Sequence, residues 1–223
     1  MRRRLIVLGL TAAAVAPGRA AADLCSTGRR QSPIDIGTTR RLALPPLRPA
    51  MHPTAVRVDN DGHTVRLRFA RGQVLALGRE RLDLQQFHFH IPGGDRLHGE
   101  EFPLALHALH KSSAGGLVAV VVLFRIGAEH AGLATLLPQL PARGSAPRPA
   151  VDIDPLAWLP AGAGYYVYDG SLTAPPCTEG VRWLVLKQQP TLSARQWAQL
   201  QTLFPHNART VQPLNGRTVS ESP

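Results

Sequence analysis

The chain has 223 residues, which suits one domain or at most two small ones. Hydrophobic residues make up 44% of it and charged residues 18%. This composition excludes a disordered chain and provides enough apolar side chains to bury a sizeable core. The net charge of +10 rests on scattered arginines with little aromatic interleaving, which is not the pattern of a nucleic-acid-binding surface.

The first 22 residues have the pattern of a secretory signal peptide. Arg2–Arg4 form a cationic start, Leu5–Ala16 are apolar and uncharged, and Ala20–Ala22 are small residues typical of a cleavage site. Removal of residues 1–22 takes away four arginines and leaves a net charge of +6. No later apolar run is long enough for a membrane span. We therefore expect an exported protein, periplasmic or secreted, with a single domain over residues 23–223.

The following elements are mostly strands. Val56–Val58 and Thr64–Phe69 alternate around an Asn-Asp-Gly turn, and in the second strand Val65 and Leu67 share an inward face. Further strands are predicted over Leu82–Ile91, Pro103–Lys111, Leu117–Arg125, Tyr165–Tyr168 and Gly180–Lys187. This pattern predicts one predominantly β domain.

Helices are few and short. Ser193 and Gln196 form a capping box, and the apolar spacing that follows predicts a helix up to Pro205. A weaker helix is predicted over Ala131–Leu137. The proline-rich segments Leu42–Pro53 and Pro141–Pro149 are predicted to be surface loops.

The two cysteines, Cys25 and Cys177, lie far apart in the chain. In an oxidising compartment an isolated pair indicates one disulfide, which would tie the amino terminus to the body of the domain. Two free thiols or two zinc ligands are the alternatives, although neither cysteine has a CxxC neighbour.

Three histidines carry the most informative chemistry. His88 and His90 alternate with phenylalanines along one predicted strand, so both imidazoles project from one face. His107, in the next predicted strand, is a candidate third ligand. Three neutral imidazoles and a water form the open tetrahedral site of a catalytic zinc. A histidine pair on a strand surface without a metal is the alternative that the spacing alone leaves open.

Four segments in one order make the pattern specific. They are Gln31–Asp35, Phe87–His90, Leu106–His110 and Tyr168–Pro176. Together they resemble an α-class carbonic anhydrase of the bacterial, exported type, over about Cys25 to Arg217. The resemblance implies a twisted, largely antiparallel ten-stranded sheet with short peripheral helices and a conical zinc site. It also implies reversible hydration of carbon dioxide to bicarbonate and a proton.

Site residues follow from the same resemblance, position by position. The implied zinc ligands are His88, His90 and His107. The implied catalytic residues are His63 as proton shuttle and Thr173, which orients the hydroxide and contacts the substrate. His63 is expected at the start of the inward face of Val65 and Leu67. Gln86 is implied as the partner of the first ligand, Asn207 as a further group behind the ligands, and Leu172, Val181 and Trp183 as the apolar pocket for carbon dioxide.

Two positions depart from the family pattern. Gly94 falls where the family has a glutamate that accepts the proton of the threonine hydroxyl, and Ala105 falls where it has a carboxylate behind the third ligand. Such partners are typically worth 10–100-fold in metal affinity or activity. The sequence therefore predicts a protein that binds zinc but hydrates carbon dioxide at a reduced rate. Alternative functions are a catalytically weak zinc-binding or interaction protein on the same fold, and a zinc hydrolase with esterase side activity. The sequence does not determine the oligomeric state, and a homodimer is compatible with it.

Overall fold

The computed structural model describes residues 24–159, 162–204 and 206–223. The predicted signal peptide over residues 1–22 lies outside them. In chain order the strands are β1 Asp35–Ile36, β2 Thr39–Arg41, β3 Leu47–Ala50, β4 Thr54–Asn60, β5 Val65–Arg68, β6 Val74–Leu77, β7 Glu80–His90, β8 Arg96–Leu97, β9 Leu104–Ser112, β10 Leu117–Ile126, β11 Arg148–Ile153, β12 Tyr165–Ser171, β13 Glu179–Leu186, β14 Thr191–Leu192 and β15 Val219–Glu221. The helices are α1 Leu24–Thr27, α2 Ala131–Leu136 and α3 Ala194–Leu203, with short 3-10 turns at Leu137–Gln139 and Pro155–Ala157.

One large sheet organises the described residues. Its main path has ten strands, in the order β11-β4-β5-β7-β9-β10-β13-β12-β15-β2, and β3, β6 and β14 pair at its sides. Most neighbours are antiparallel, whereas β10 is parallel to β13 and β15 is parallel to β2. The predicted fold class, a largely antiparallel sheet with short helices, is therefore confirmed. Among the described residues the sheet has thirteen strands where ten were expected, and ten of them form its main path.

The sheet buries apolar side chains on both faces. The larger core cluster contains, among others, Leu67, Phe87, Phe89, Val120, Phe124 and Leu184. A second, cleft-side cluster contains Ile34, Phe102, Ala105, Val121, Tyr168, Val181 and Trp183 among others. Strand β10 contributes alternate residues to both clusters, which explains its uninterrupted apolar sequence.

Both predicted helices are confirmed. The Ser193 hydroxyl accepts a hydrogen bond from the Gln196 amide at 3.2 Å, and the Gln196 side chain accepts one from the Ser193 amide at 3.1 Å. The second helix, α2, begins after His130, whose Nδ1 accepts a hydrogen bond from the Leu133 amide. No helix within the three described ranges has the length and apolar composition needed to cross a membrane.

The proline-rich loop predictions were wrong in part. Within Leu42–Pro53, β3 pairs with β6 and places Pro49 opposite Leu75. Within Pro141–Pro149, the chain enters β11, which pairs with β4. Among the strands that the structure describes, each of these two pairs with a single neighbour. An edge strand tolerates proline because its outer amide needs no partner in the sheet.

The predicted disulfide is confirmed, because Cys25 and Cys177 are bonded to each other. It connects α1 to the loop before β13, across a sequence separation of 152 residues. The same contact is reinforced by the Leu24 amide, which donates to the Pro176 carbonyl at 3.1 Å, and by Arg209, which donates to the Cys25 carbonyl at 2.7 Å. The amino-terminal segment is therefore attached covalently and by hydrogen bonds.

Changing both Cys25 and Cys177 to serine should lower the free energy of unfolding by about 2–5 kcal/mol, because the unfolded chain regains the entropy of a long loop. Denaturant unfolding of the oxidised parent and the double variant measures the difference. A reductant should destabilise the parent and leave the double variant unchanged. Equal stability of the oxidised parent and the variant would contradict the prediction.

Candidate metal centre

The three predicted histidines meet because of how two strands pair. Strands β7 and β9 are antiparallel, with His88 opposite His107 and His90 opposite Ala105. One ring nitrogen from each histidine lies within 4.8 Å of one from each of the others. The ring centroids are separated by 4.3 to 5.2 Å. The structure thus forms a compact cluster of three imidazoles on one sheet face.

A β-bulge sets which residues of β7 point to this face. The bulge lies between Leu84 and Gln86. Before the bulge the even-numbered Leu84 packs in the larger core cluster, and after it the odd-numbered Phe87 and Phe89 pack there. Because side chains alternate along a regular strand, the core-facing positions can change from even to odd numbers only where a bulge inserts one extra residue. The bulge therefore turns His88 away from the core.

Burial keeps the three imidazoles neutral. Desolvation is the largest influence on each, and it lowers the pKa of His88 and of His107 well below 6.5 and that of His90 to about 4. The neighbouring imidazoles lower the pKa of His88 and His107 further, whereas Asn207 partly raises that of His90. Neutral imidazole is the form that binds a metal, so no proton has to be displaced at pH 7.

The ring nitrogens also fit a metal. Both ring nitrogens of His90 are buried and have no hydrogen-bond partner among the described residues. Leaving buried polar atoms without partners is costly, and a metal ion that takes one nitrogen from each ring reduces that cost. Three histidine nitrogens beside an open cleft are the ligand set of a catalytic zinc site.

The histidines lie in a cleft of about 450 Å³. It brings together every site residue predicted from the sequence: His63, Gln86, His88, His90, His107, Leu172, Thr173, Val181, Trp183 and Asn207. The apolar wall is anchored by Trp183, whose ring lies perpendicular to that of His107 at 5.0 Å. Its Nε1 donates to the Ser171 carbonyl at 3.1 Å, so the indole is fixed.

His63 reaches the cleft by a different route from the one expected. Val65 and Leu67 face the larger core cluster, on the opposite side of the sheet from His88. Because β5 begins only at Val65, His63 lies in the preceding turn, where strand alternation does not apply. The expectation that His63 shares the inward face of Val65 and Leu67 was therefore wrong. The imidazole is exposed and lines the cleft.

Asn207 holds the end of β7. Its side-chain oxygen accepts a hydrogen bond from the Ile91 amide at 2.9 Å, and its side-chain nitrogen donates to the Phe89 carbonyl at 3.0 Å. The same nitrogen donates to the His63 carbonyl at 2.7 Å. Asn207 therefore connects the ligand strand to the turn that carries His63.

Three hydrogen bonds implied by the family pattern are not formed. Gln86 Oε1 and His88 Nδ1 are both buried without a partner, so these two residues do not bond to each other. Behind His107, the position of the missing carboxylate is the fully buried Ala105. The Thr173 hydroxyl has no hydrogen bond to any residue in the described ranges, consistent with the absence of an acceptor at Gly94.

Several residues that line the cleft were not identified from the sequence, and two of them, Arg66 and His206, carry basic side chains. Arg66 lies on β5 directly opposite His88, and His206 precedes Asn207. The alternation that assigns Arg66 to the face opposite Val65 was visible, but the sequence could not show that this face is the cleft. His206 lies outside any strand or helix, so no periodic pattern places it.

Comparisons with known proteins agree on one family. The sequence model of eukaryotic-type carbonic anhydrase matches residues 19–223. A carbonic anhydrase of Pectobacterium carotovorum is 40% identical over 199 residues, covering 88% of this chain and 82% of the relative. The solved structure of the Photobacterium profundum α-carbonic anhydrase is 36% identical with a TM-score of 0.82, covering 88% of this chain and 91% of the other. That of the Thermovibrio ammonificans enzyme in complex with sulfanilamide is 34% identical with a TM-score of 0.83, with 88% and 89% covered.

A buried carboxylate lies behind the cleft. Asp95 is fully buried, and its Oδ1 accepts hydrogen bonds from the Ile34 amide at 3.0 Å and the Tyr168 hydroxyl at 2.8 Å. Its Oδ2 is buried without a partner within the described part of the chain. Desolvation raises the pKa of Asp95 to about 7, although the two hydrogen bonds act in the opposite direction.

The Asp95→Asn variant should gain stability relative to the parent as the pH rises. The pKa of Asp95 is raised on folding from 3.8 to about 7, so its ionisation lowers the stability of the parent between these values, a contribution that the variant lacks. The difference in free energy of unfolding should grow by about 1 kcal/mol per pH unit from pH 4 to 7 and then level off. Denaturant unfolding between pH 4.5 and 8 measures it.

The buried histidines titrate in both chains, so their contribution cancels in this difference. The exposed Asp152 changed to Asn is the control, because its carboxylate is in water whether the chain is folded or not. A difference that stays constant from pH 4.5 to 7 for Asp95→Asn would contradict the raised pKa.

Proposed function

Because this chain belongs to the eukaryotic-type carbonic anhydrase family, we propose that it hydrates carbon dioxide reversibly to bicarbonate and a proton at a zinc ion held by His88, His90 and His107. The observation that carries the proposal is the cluster of three neutral imidazoles at an open cleft with an apolar wall. When bound, zinc supplies a Lewis acid that lowers the pKa of a bound water to about 7.

The substrate is held by the apolar wall. Leu172, Val181 and Trp183 line the cleft beside the histidines, and carbon dioxide is a small molecule without a charge. An apolar wall binds it without hydrogen bonds and leaves its carbon open to attack. Thr173, on the same loop as Leu172, also lines the cleft, and its hydroxyl is the group that can hydrogen-bond to the attacking oxygen.

The product proton leaves through His63. An imidazole suits this step because its ordinary pKa of about 6.5 lies close to working pH, so it accepts and releases a proton readily. His63 is exposed and lines the cleft. It can therefore pass the proton to buffer or water outside.

The rate is reduced by the two departures from the family pattern. With no acceptor at Gly94, the Thr173 hydroxyl is free to donate in either direction, so it no longer imposes one orientation on the attacking oxygen. With Ala105 behind it, the His107 Nε2 atom has no carboxylate to fix the ring and raise its basicity. A catalytically weak zinc-binding or interaction protein and a zinc hydrolase with esterase side activity are the competing functions, and a carbon dioxide hydration assay separates them.

The setting of this activity is an oxidising compartment outside the cytoplasm. The Cys25–Cys177 disulfide supports export, since such bonds persist where thiols are not kept reduced. We place the protein in the periplasm after removal of residues 1–22, with residues 23–223 as one catalytic domain.

Stopped-flow hydration of carbon dioxide by the purified domain tests the proposal. We expect about one zinc per chain and an activity that a chelator abolishes and added zinc restores. His107→Ala should lose both zinc and activity, whereas His52→Ala, which changes an exposed histidine outside the cleft, should keep both. If the zinc-replete protein does not hydrate carbon dioxide, the proposed enzymatic activity is wrong. Ester hydrolysis without carbon dioxide hydration would favour the zinc hydrolase instead.

Restoring the missing carboxylates should raise the rate. At equal zinc occupancy, we expect Gly94→Glu to hydrate carbon dioxide at least about tenfold faster than Gly94→Ala. Gly94 has φ of +83°, a conformation that costs a side chain about 1–2 kcal/mol, so the alanine variant is the matched control for this strain. A Cβ at this position would make an ordinary contact, 3.4 Å from Pro33 Cγ, so both variants can place their first side-chain atom.

Ala105→Glu tests the partner of His107 in the same way, with Ala105→Gln as the neutral control of equal size. The glutamate variant should bind zinc more tightly than the glutamine variant, because a carboxylate at Nε2 makes the imidazole a better ligand. A parent already faster than every one of these variants would show that another group fills both roles.

A further inference from the structure

The turn that carries His63 is built around one carboxylate. Asp61 Oδ1 accepts a hydrogen bond from the His63 amide at 2.9 Å and another from the Thr64 amide at 2.8 Å. The other oxygen, Oδ2, pairs with Arg66 Nη2 at 3.0 Å. Three donors therefore converge on this side chain.

The His63 backbone is held from its other side as well. Its carbonyl accepts the 2.7 Å hydrogen bond from Asn207. The amide and the carbonyl of His63 are thus both bonded, one to Asp61 and one to Asn207, although the imidazole itself is exposed. Such a residue keeps its backbone fixed while its ring can still turn toward the cleft or toward solvent.

Arg66 is oriented toward Asp61 by a second acidic residue. Its Nη1 pairs with Asp59 Oδ2 at 3.3 Å, and Asp59 Oδ1 pairs with Arg68 Nε at 3.1 Å. Asp59 has no hydrogen bond to His63. The two aspartates therefore share Arg66 but differ in whether they contact the turn.

We propose that Asp61 is a positioning residue for proton release: its carboxylate fixes the backbone of His63 so that the imidazole stays at the cleft. This inference rests on the proposed function. Proton transfer between two groups depends steeply on their separation and orientation. A histidine with a mobile backbone therefore transfers protons more slowly, even when its imidazole is chemically unchanged. Asp61 forms no hydrogen bond to His88, His90 or His107, so we expect its removal to act mainly on the proton step.

Steady-state hydration kinetics of three variants test the role. In weak buffer, Asp61→Ala should lower kcat about tenfold and leave kcat/KM within about twofold, because proton release limits kcat and the attack on carbon dioxide governs kcat/KM. Added imidazole should restore kcat by carrying the proton directly. Asp61→Asn should stay close to the parent, since an amide oxygen still accepts both backbone hydrogen bonds. Asp59→Asn is the matched control, which perturbs Arg66 but not the turn.

A second readout needs no metal and no activity. In the metal-free protein, hydrogen exchange of the His63 and Thr64 amides should become at least about tenfold faster in Asp61→Ala and remain slow in Asp61→Asn and Asp59→Asn. Zinc content and unfolding midpoint, measured alongside, identify a variant that has simply misfolded.

The outcomes separate this inference from the proposed function. A parent that hydrates carbon dioxide while Asp61→Ala keeps its kcat in weak buffer overturns the positioning role and leaves the enzyme intact. If kcat in weak buffer falls as far in Asp61→Asn as in Asp61→Ala, the positioning role is also overturned, because the two backbone hydrogen bonds kept by the asparagine would then not be what sustains kcat. A parent without hydration activity overturns the proposed function itself, whatever the exchange rates show.

Discussion

The pairing of β7 with β9 is the constraint on which the site depends. It places His88 beside His107, and the bulge before Gln86 directs the first histidine to the open face while the phenylalanines fill the core. A shift of one residue in this pairing would exchange imidazoles for phenylalanines on the cleft face. The apolar packing of Phe87 and Phe89 therefore holds the register, and the register creates the metal centre. Stability and chemistry depend on the same strand.

Burying three histidines together is unfavourable unless something replaces the water they lose. Desolvation lowers the pKa of all three, and neighbouring imidazoles lower the pKa of His88 and His107 further, so each ring stays neutral and retains a nitrogen able to bind a cation. Within the described part of the chain both ring nitrogens of His90 are buried without a hydrogen-bond partner, and a divalent ion that binds one of them offsets part of this cost. The cluster is thus poised for a metal in a way that three exposed histidines would not be.

Periodicity and short motifs predicted the long central strands and the capped helix α3, because these signals act locally. The disulfide followed from the expected export of the chain, and the full set of three histidine ligands followed from the resemblance to the family. The sequence could not predict the face that His63 occupies, since a turn interrupts the alternation on which that expectation relied. The bulge in β7 was also hidden, because two consecutive glutamines give no apolar signal to show where the pattern changes. The strands β3 and β11 were missed because proline is acceptable at a sheet edge, which composition alone does not reveal.

The absence of carboxylates around the ligands is partly compensated by packing. Tyr168, which donates to Asp95, is stacked on Trp183 with ring centroids 5.7 Å apart, and Trp183 in turn packs against His107. A buried carboxylate therefore supports the third ligand through two aromatic rings rather than through a hydrogen bond. Packing of this kind can fix the orientation of an imidazole, but it cannot accept a hydrogen bond from Nε2 and so cannot raise the basicity of the ring. The chain retains the geometry of the centre while losing part of its electronic tuning, which is why we expect metal binding to be preserved better than rate.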